Sequence, residues 1–368
     1  MLKKRLIAFV LSAAIGVALA FGISAAFPPV FTDGSIQEGL CYETTGVCPD
    51  AIVATVDGTP VPADLYFYFL CYEGSEINSM LQYYMGGNVD WDMELGEGRT
   101  IRDIAKDGAL ALTQQQLGIE NMAKQYGVTL SDTELSELAA IREQTVEAVG
   151  GEEAYLAEID KMGLREETYD RLLGSSYLYN SLGILYDTPD SPLYADADTL
   201  MAYAQEQGYI AADHILIKTV DDQMQPLDEE TAAAQKALAE DILSQLQAGD
   251  GSYEAFAALA DKYSEDPGRL ANPTGYTFTT GEMVEEFDTA ARALAEGETS
   301  GLVESSYGYH IIYRLPLTDS AVETVRNAYF DELVSEYIAA SKAVTSPVAG
   351  SMDPQAAYEA MLAAQANG

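Results

Sequence analysis

The spacing of apolar positions changes character twice along this chain. From residue 51, "AIVATVDGTPVPADLYFYFLCY" starts apolar, breaks at Asp57-Gly58 and becomes nearly continuously apolar. That pattern predicts a short strand, a turn, and a helix beginning near Pro62 to Asp64. Over about the next 120 residues apolar side chains recur at helical spacing, with glycines as punctuation. In "SDTELSELAAIREQTVEAVGG", Ser131 stands three residues before Glu134, the spacing of a capping box, and Gly150-Gly151 supplies the stop. "EEAYLAEIDKMG" and "REETYDRLLGSSYLYNSLGILY" repeat that grammar. At "DTPDSP", residues 187–192, two prolines among Asp and Ser predict a linker or a turn between domains.

After a further short helix the period shortens. "AADHILIKTV" (211–220) alternates as a strand does, and "EETAAAQKALAEDILSQLQAG" is a helix closed at Gly249. Ser252 can cap another helix, "YEAFAALADKY". The polar loop "SEDPGRLANPTG" leads to a strand at "YTF", a helix through "MVEEFDTAARAL", and strands around "GLVES" and "GYHIIYRL". Strand, helices, strand, helix, strand, strand within about 108 residues is an α+β arrangement with an antiparallel sheet. From Val322 to about Lys342 the pattern predicts one more amphipathic helix, and the Ala/Gln/Gly-rich stretch after it predicts a weakly ordered tail.

Residues 1–27 read as an export signal. Lys3, Lys4 and Arg5 precede an uncharged apolar run over residues 6–27, long enough to span a bilayer. Ser24-Ala25-Ala26 also offers small residues at cleavage spacing, so a retained membrane anchor and a cleaved signal both fit. The positive flank places the chain beyond residue 27 outside the cytoplasm. There an oxidising compartment would allow a disulfide between Cys41 and Cys48, with Cys71 left over; unpaired thiols are the other reading. The cysteines and histidines fit no zinc spacing, and no metal site is expected.

Composition narrows the partners. The 368 residues are 48% hydrophobic and 21% charged, as in a globular protein of about two domains, and 59 acidic against 19 basic residues give a net charge of -40. Such a field repels phosphate backbones, so no nucleic acid is expected as a partner. Cationic or unfolded chains are compatible with it, as is simple solubility.

The chain has two histidines, both in predicted strands. His214, Leu216 and Lys218 share one face of the first, and His310, Ile312 and Arg314 share one face of the other. Were the strands neighbours, the two imidazoles could meet and fix each other's tautomers. A lone strand histidine is more often structural. Two placed alike in one small unit shift that balance.

"HILIK", "FAALADKYSEDPG", "GYTFTTGEMVEEFDTAARAL" and "GETSGLVESSYGYHII" together resemble a parvulin-type (PpiC-type) peptidyl-prolyl isomerase domain over residues 210–316. The flanks resemble the extracytoplasmic foldases of the PrsA and SurA type, through "VATVDGTPVPADLYFYFL", the helix grammar and the domain order. The resemblance implies a four-stranded antiparallel sheet with surrounding helices, next to a mostly α-helical chaperone domain like that of SurA. It implies a division into a signal or anchor (1–27), a linker (28–50), a helical chaperone-like domain (51–190), a connecting helix (191–209), the isomerase domain (210–316), a helix returning to the chaperone domain (317–345) and a tail (346–368).

By the same resemblance, His214 and His310 match paired active-site histidines, Asp266 an acidic partner beside them, and Ser305 a hydroxyl linked to the network. Met283 and Phe287 match the pocket for the proline ring, and Phe278 the aromatic next to it. Met283 and Phe287 are also i, i+4, which a helical segment would place on one face, although ordinary core packing gives that spacing too. No cofactor is implied, since amide rotation makes no bond. The implied substrates are unfolded exported polypeptides with X-Pro bonds; the alternative is a holdase chaperone with an inactive isomerase domain. Two departures stand out. Asn272, Pro273 and Tyr276 occupy places of small residues, and the loop "KTVDDQMQPLDEE" is acidic where phosphate-directed relatives are basic. With 20 acidic and 6 basic side chains over residues 209–316, a phosphoserine-proline preference is not expected.

Overall fold

The computed structural model describes residues 29–86 and 89–366, so the expected signal or anchor at residues 1–27 lies outside the described residues. Two compact units are present: one holds the chain up to Tyr194 and again from Glu332 onward, the other runs from Ala195 to Asp331. Among the described residues no helix is long and apolar enough to cross a membrane.

The first unit opens with helix α1 (Gly39–Thr45) and a hairpin of β1 (Ile52–Val56) and β2 (Thr59–Pro62), turned through left-handed backbone at Asp57 and Gly58. Helix α2 (Ala63–Met85) follows at once. Its nearly continuous apolar run is buried on more than one side, with Leu65, Phe67, Leu70 and Cys71 inaccessible to solvent. A small hairpin, β3 (Glu94–Gly96) and β4 (Arg99–Thr100), interrupts the helical series before α3 (Ile101–Gln125), α4 (Asp132–Val149), α5 (Glu152–Lys161) and α6 (Glu166–Asp187). The capping box at Ser131 forms: its Oγ accepts from the Glu134 N–H, and Glu134 Oε2 accepts from the Ser131 N–H at 2.7 Å. Asp64, fully buried at the start of α2, is locked by Arg165 Nε at 2.9 Å and by the Thr168 hydroxyl at 2.7 Å.

The second unit begins with α7 (Ala197–Glu206), then β5 (Ile210–Lys218), α8 (Glu229–Ala248) and α9 (Tyr253–Tyr263). Next come β6 (Tyr276–Phe278), α10 (Glu285–Ala293), β7 (Val303–Ser305) and β8 (Gly308–Leu315). The four strands form one antiparallel sheet in the order β6-β5-β8-β7. Alternation sorts the faces: Ile215, Ile217, Ile311 and Tyr313 pack on α8 and α9, whereas Ala212, Ile312, Phe278 and Phe287 pack together on the α10 side.

Helix α11 (Asp319–Ala340) leads back to the first unit, where Ile338 lies against Gly118 of α3. The residues beyond it are not the weakly ordered tail that composition predicts. β9 (Ala343–Thr345) pairs with β1, Ser346 caps α12 (Pro347–Ser351), and α13 (Pro354–Ala366) buries Ala357 against α2, where Cys71 Sγ donates to the Ala357 carbonyl. Small residues let α13 approach α2 closely; Gly74 has Tyr358 directly beside it. Nor is 28–50 a plain linker, because α1 buries Cys41 in the core and the Leu40 N–H bonds to Asp160 Oδ1. All three cysteines are free in this structure. Cys41 points into the core on α1, and burial pushes its thiol up to about 12. Cys48, only half-buried, comes just after the left-handed turn at Gly46.

Candidate functional site

The sheet register sets two histidines side by side. His214 on β5 pairs with Ile312 and His310 on β8 pairs with Leu216, so the imidazoles are diagonal neighbours on one face. Their Nδ1 atoms lie 3.3 Å apart. Beyond β8, the β7 hairpin pairs Ser305 with Gly308, which brings Ser305 Oγ to 2.7 Å from His310 Nε2. Gly308 is required there. At φ 144°, a Cβ would lie 2.1 Å from the Ile217 carbonyl oxygen.

Asp266 reaches the pair because the chain after α9 runs along the part of β5 that β6 leaves uncovered. The Glu265 N–H bonds to the Leu216 carbonyl, and the Leu216 N–H to Ser264 Oγ. Asp266 then caps a 3-10 turn at Pro267–Leu270 through a bond from the Gly268 N–H to Oδ1. Its other oxygen, Oδ2, lies 3.0 Å from His214 Nε2, although no well-aligned hydrogen bond reaches that nitrogen. The approach is therefore close but bent, and charge carries much of it.

The apolar part lies on the same face. Phe287 stands edge-on to His214, with ring centroids 5.1 Å apart, and 5.6 Å from His310; Phe278 lies behind it at 5.7 Å. Both phenylalanines are buried, and Met283 is half-buried in the same cluster. Met283 is not helical, as the i, i+4 spacing suggests it would be. α10 starts only at Glu285, with Val284 in extended conformation before it, and Met283 reaches the cluster from the preceding bend.

Electrostatics separate these groups. Burial pushes the His310 imidazole down to about 4, His214 adds to that, and Asp266 opposes it. At neutral pH His310 is uncharged. For Asp266, burial works against the charged form, but the His214 ring, the Tyr276 hydroxyl and the Gly268 N–H outweigh it and hold the carboxyl at about 2. The cluster is thus an ionised carboxylate, a pair of imidazoles and a hydroxyl, beside aromatic surface. Such a cluster can orient and polarise a bound amide.

Two participants are not evident from sequence patterning. Tyr276 Oη donates to Asp266 Oδ2 at 2.5 Å, and its ring lies edge-on to His214. On the far face of β5, buried Asp213 accepts from Arg269 Nη1 at 2.7 Å and from the Tyr253 hydroxyl at 3.0 Å, which ties the 3-10 turn beside Asp266 to the sheet. The only prior signal for Tyr276 is its departure from a small-residue pattern.

The family model described as "Rotamase: PPIC-type PPIASE domain" matches residues 214–315, from one histidine of the pair to the end of the strand that carries the other. The chain carries a domain of the PpiC-type isomerase family. Foldase protein PrsA of Halalkalibacterium halodurans is 40% identical over 129 residues, 34% of this chain and 32% of that protein. Chaperone SurA of Alkalilimnicola ehrlichii is 39% identical over 102 residues, 27% of this chain and 21% of that one. A longer alignment, to Foldase protein PrsA of Caldanaerobacter subterraneus, is 28% identical over 249 residues, 67% of this chain and 68% of the relative. The solved structure of PrsA from Bacillus subtilis covers 87% of this chain and 93% of its own at 18% identity, with a TM-score of 0.26. The chain spans about a third of the length of the first curated relatives it matches. PpiC-type homology therefore rests on the second unit.

Proposed function

We propose that this protein is an extracytoplasmic peptidyl-prolyl isomerase and foldase that assists the folding of exported polypeptides. The observation that carries the reading is the convergence of His214, His310 and Asp266 on one sheet face beside Phe287, within the residues that match the PpiC-type family. Relatives named as foldases and chaperones support the broader role.

Amide rotation faces a barrier of about 18–20 kcal/mol because resonance must be broken. In this proposal Met283, with Phe287 and Phe278 behind it, grips the pyrrolidine ring. The ring contact removes the planar amide from water, and the twisted transition state, with charge drawn back from the carbonyl to nitrogen, loses less by that transfer. His214, Asp266, His310 and Ser305 set orientation and polarity around the amide. Residues 6–27 anchor the protein to the membrane in this reading.

The test is proline cis/trans exchange in an unphosphorylated model peptide, with wild type, His310→Ala and Asp266→Ala. Wild type is expected to accelerate exchange and each variant to lose about tenfold to a hundredfold of kcat/KM, roughly 1.4–2.8 kcal/mol. No acceleration by wild type ends the isomerase reading; full activity in both variants ends the site assignment. A holdase reading is favoured by one feature, helix α4, which buries no residue and exposes Leu135, Ile141 and Val149. Suppression of client aggregation by the full chain carrying Asp266→Ala would place that function in addition to isomerisation.

A further inference from the structure

We propose that Tyr276 is a positioning residue of the isomerase site, whose hydroxyl, bonded to Asp266 Oδ2, fixes the proton arrangement running through His214 and His310 to Ser305. This rests on the isomerase reading above and adds to it a residue and a proton order.

The placement comes from the sheet. Tyr276 pairs with Ala212 across β6 and β5, so it shares the face of His214 and is its diagonal neighbour. Two contacts result, and both fall on the Asp266–His214 pair: the O–H to Asp266 Oδ2 and the ring edge-on to His214, centroids 5.7 Å apart. A small residue at this position would leave Oδ2 with His214 as its sole side-chain partner.

Each bond direction then fixes the next. Asp266, ionised, accepts from Tyr276, so a bare lone pair on His214 Nε2 at 3.0 Å would face an anion, and that nitrogen carries the proton. In that tautomer the His214 ring presents a lone pair at Nδ1. The 3.3 Å contact between the Nδ1 atoms needs one donor, which is the Nδ1–H of His310. His310 Nε2 then accepts from the Ser305 hydroxyl, and Ser305 Oγ accepts from the Tyr307 N–H. Each ring nitrogen then has one role. With the Tyr276 hydroxyl removed, Asp266 loses the donor that holds Oδ2 in line, its already bent contact with His214 loosens, and both rings gain access to the opposite tautomer.

The second lever is Gly268. A Cβ on Gly268 would lie 2.2 Å from Tyr276 Oη and must displace the phenol, while the Gly268 N–H to Asp266 is kept. The experiment compares full-length wild type, Tyr276→Phe, Gly268→Ala and the double variant by ring-nitrogen NMR of the two histidines and by peptide exchange kinetics. Wild type is expected to show His214 protonated at Nε2 and His310 at Nδ1. Tyr276→Phe is expected to move both rings toward tautomer averages and to lower kcat about fivefold at unchanged KM. Gly268→Ala should do the same alone and add nothing in the Tyr276→Phe background. Ring signals and kcat per folded molecule unchanged in Tyr276→Phe would overturn the proposal, as would a Gly268→Ala effect that persists without the phenol hydroxyl. If wild type lacks exchange activity the isomerase reading fails, and the ring signals still decide the proton order.

Discussion

Each unit of this protein holds a carboxylate wholly or largely out of solvent among polar partners, and the partners make the difference between a lock and a site. Asp64, in the first unit, is met by a guanidinium, a hydroxyl and a backbone N–H from the start of α6. Its chief partner never gives up its proton, and the aromatic and apolar residues around it are core. Asp266, in the second unit, is met by an imidazole, a phenol and the N–H of a 3-10 turn. The imidazole and the phenol can each donate or accept, and they stand beside aromatic surface that a proline ring would meet. A carboxylate shielded among polar partners therefore says little about function by itself. What its partners can do chemically says more.

The comparison breaks most visibly at Arg165. Arg165→Met leaves Asp64, which has no exposed surface, without its cation, and should cost about 3–5 kcal/mol of unfolding free energy. Isomerase activity per folded molecule should stay at the wild-type level. A loss under about 1 kcal/mol in chemical denaturation would show that Asp64 locks nothing.

A second break uses pH, because both histidines lie in the second unit. His310 is held near 4 in the fold, below the ordinary 6.5, so its contribution is complete above about pH 6.5. As pH falls from there toward 4 the unfolded chain takes up the proton first, and stability declines by roughly 3 kcal/mol. Asp266 acts with the same sign in a lower window: its depressed carboxyl favours the fold until pH drops through the usual carboxylate range toward 2. Denaturation of wild type and His310→Gln between pH 7 and 4 should give a slope in the first that is largely missing in the second. Equal slopes would remove the buried neutral imidazole from the account.

How far such features can be seen in advance depends on whether they are periodic. Strand alternation places His214 and His310 on matching faces, and β5 and β8 prove to be neighbours in the register that brings the rings together. The Ser131 capping box is visible because it needs only a fixed spacing. Tyr276 is not visible, since its bond to Asp266 closes across an irregular loop and depends on where the 3-10 turn points the carboxylate. α13 escapes notice for another reason: its Ala- and Gln-rich sequence has a weak apolar stripe, and its burial comes from the close approach of small residues to α2. Met283 shows the limit of spacing arguments, because it joins the apolar cluster from a bend and not from the helix that its distance to Phe287 suggests.

Met283 also supplies the smallest and sharpest test of the comparison. It is the half-buried member of the apolar trio, whereas Phe278 and Phe287 are buried behind it. Part of its side chain faces solvent, so truncation to Ala should cost less stability than truncation of either buried phenylalanine. In the proposed reading, contact with a proline ring would be made in ground state and transition state alike. Loss of that contact, worth about 1 kcal/mol for a partly covered side chain, should raise KM about fivefold and leave kcat unchanged. Met283→Leu, close in volume, should restore most of the affinity. The same kinetics applied to Asp266→Ala should show the reverse split, with kcat falling and KM holding. If Met283→Ala lowers kcat instead, the trio does not act as a simple grip on the ring; if it changes neither constant but unfolds the second unit, Met283 is core, and the contrast drawn between lock and site stops at the polar cluster.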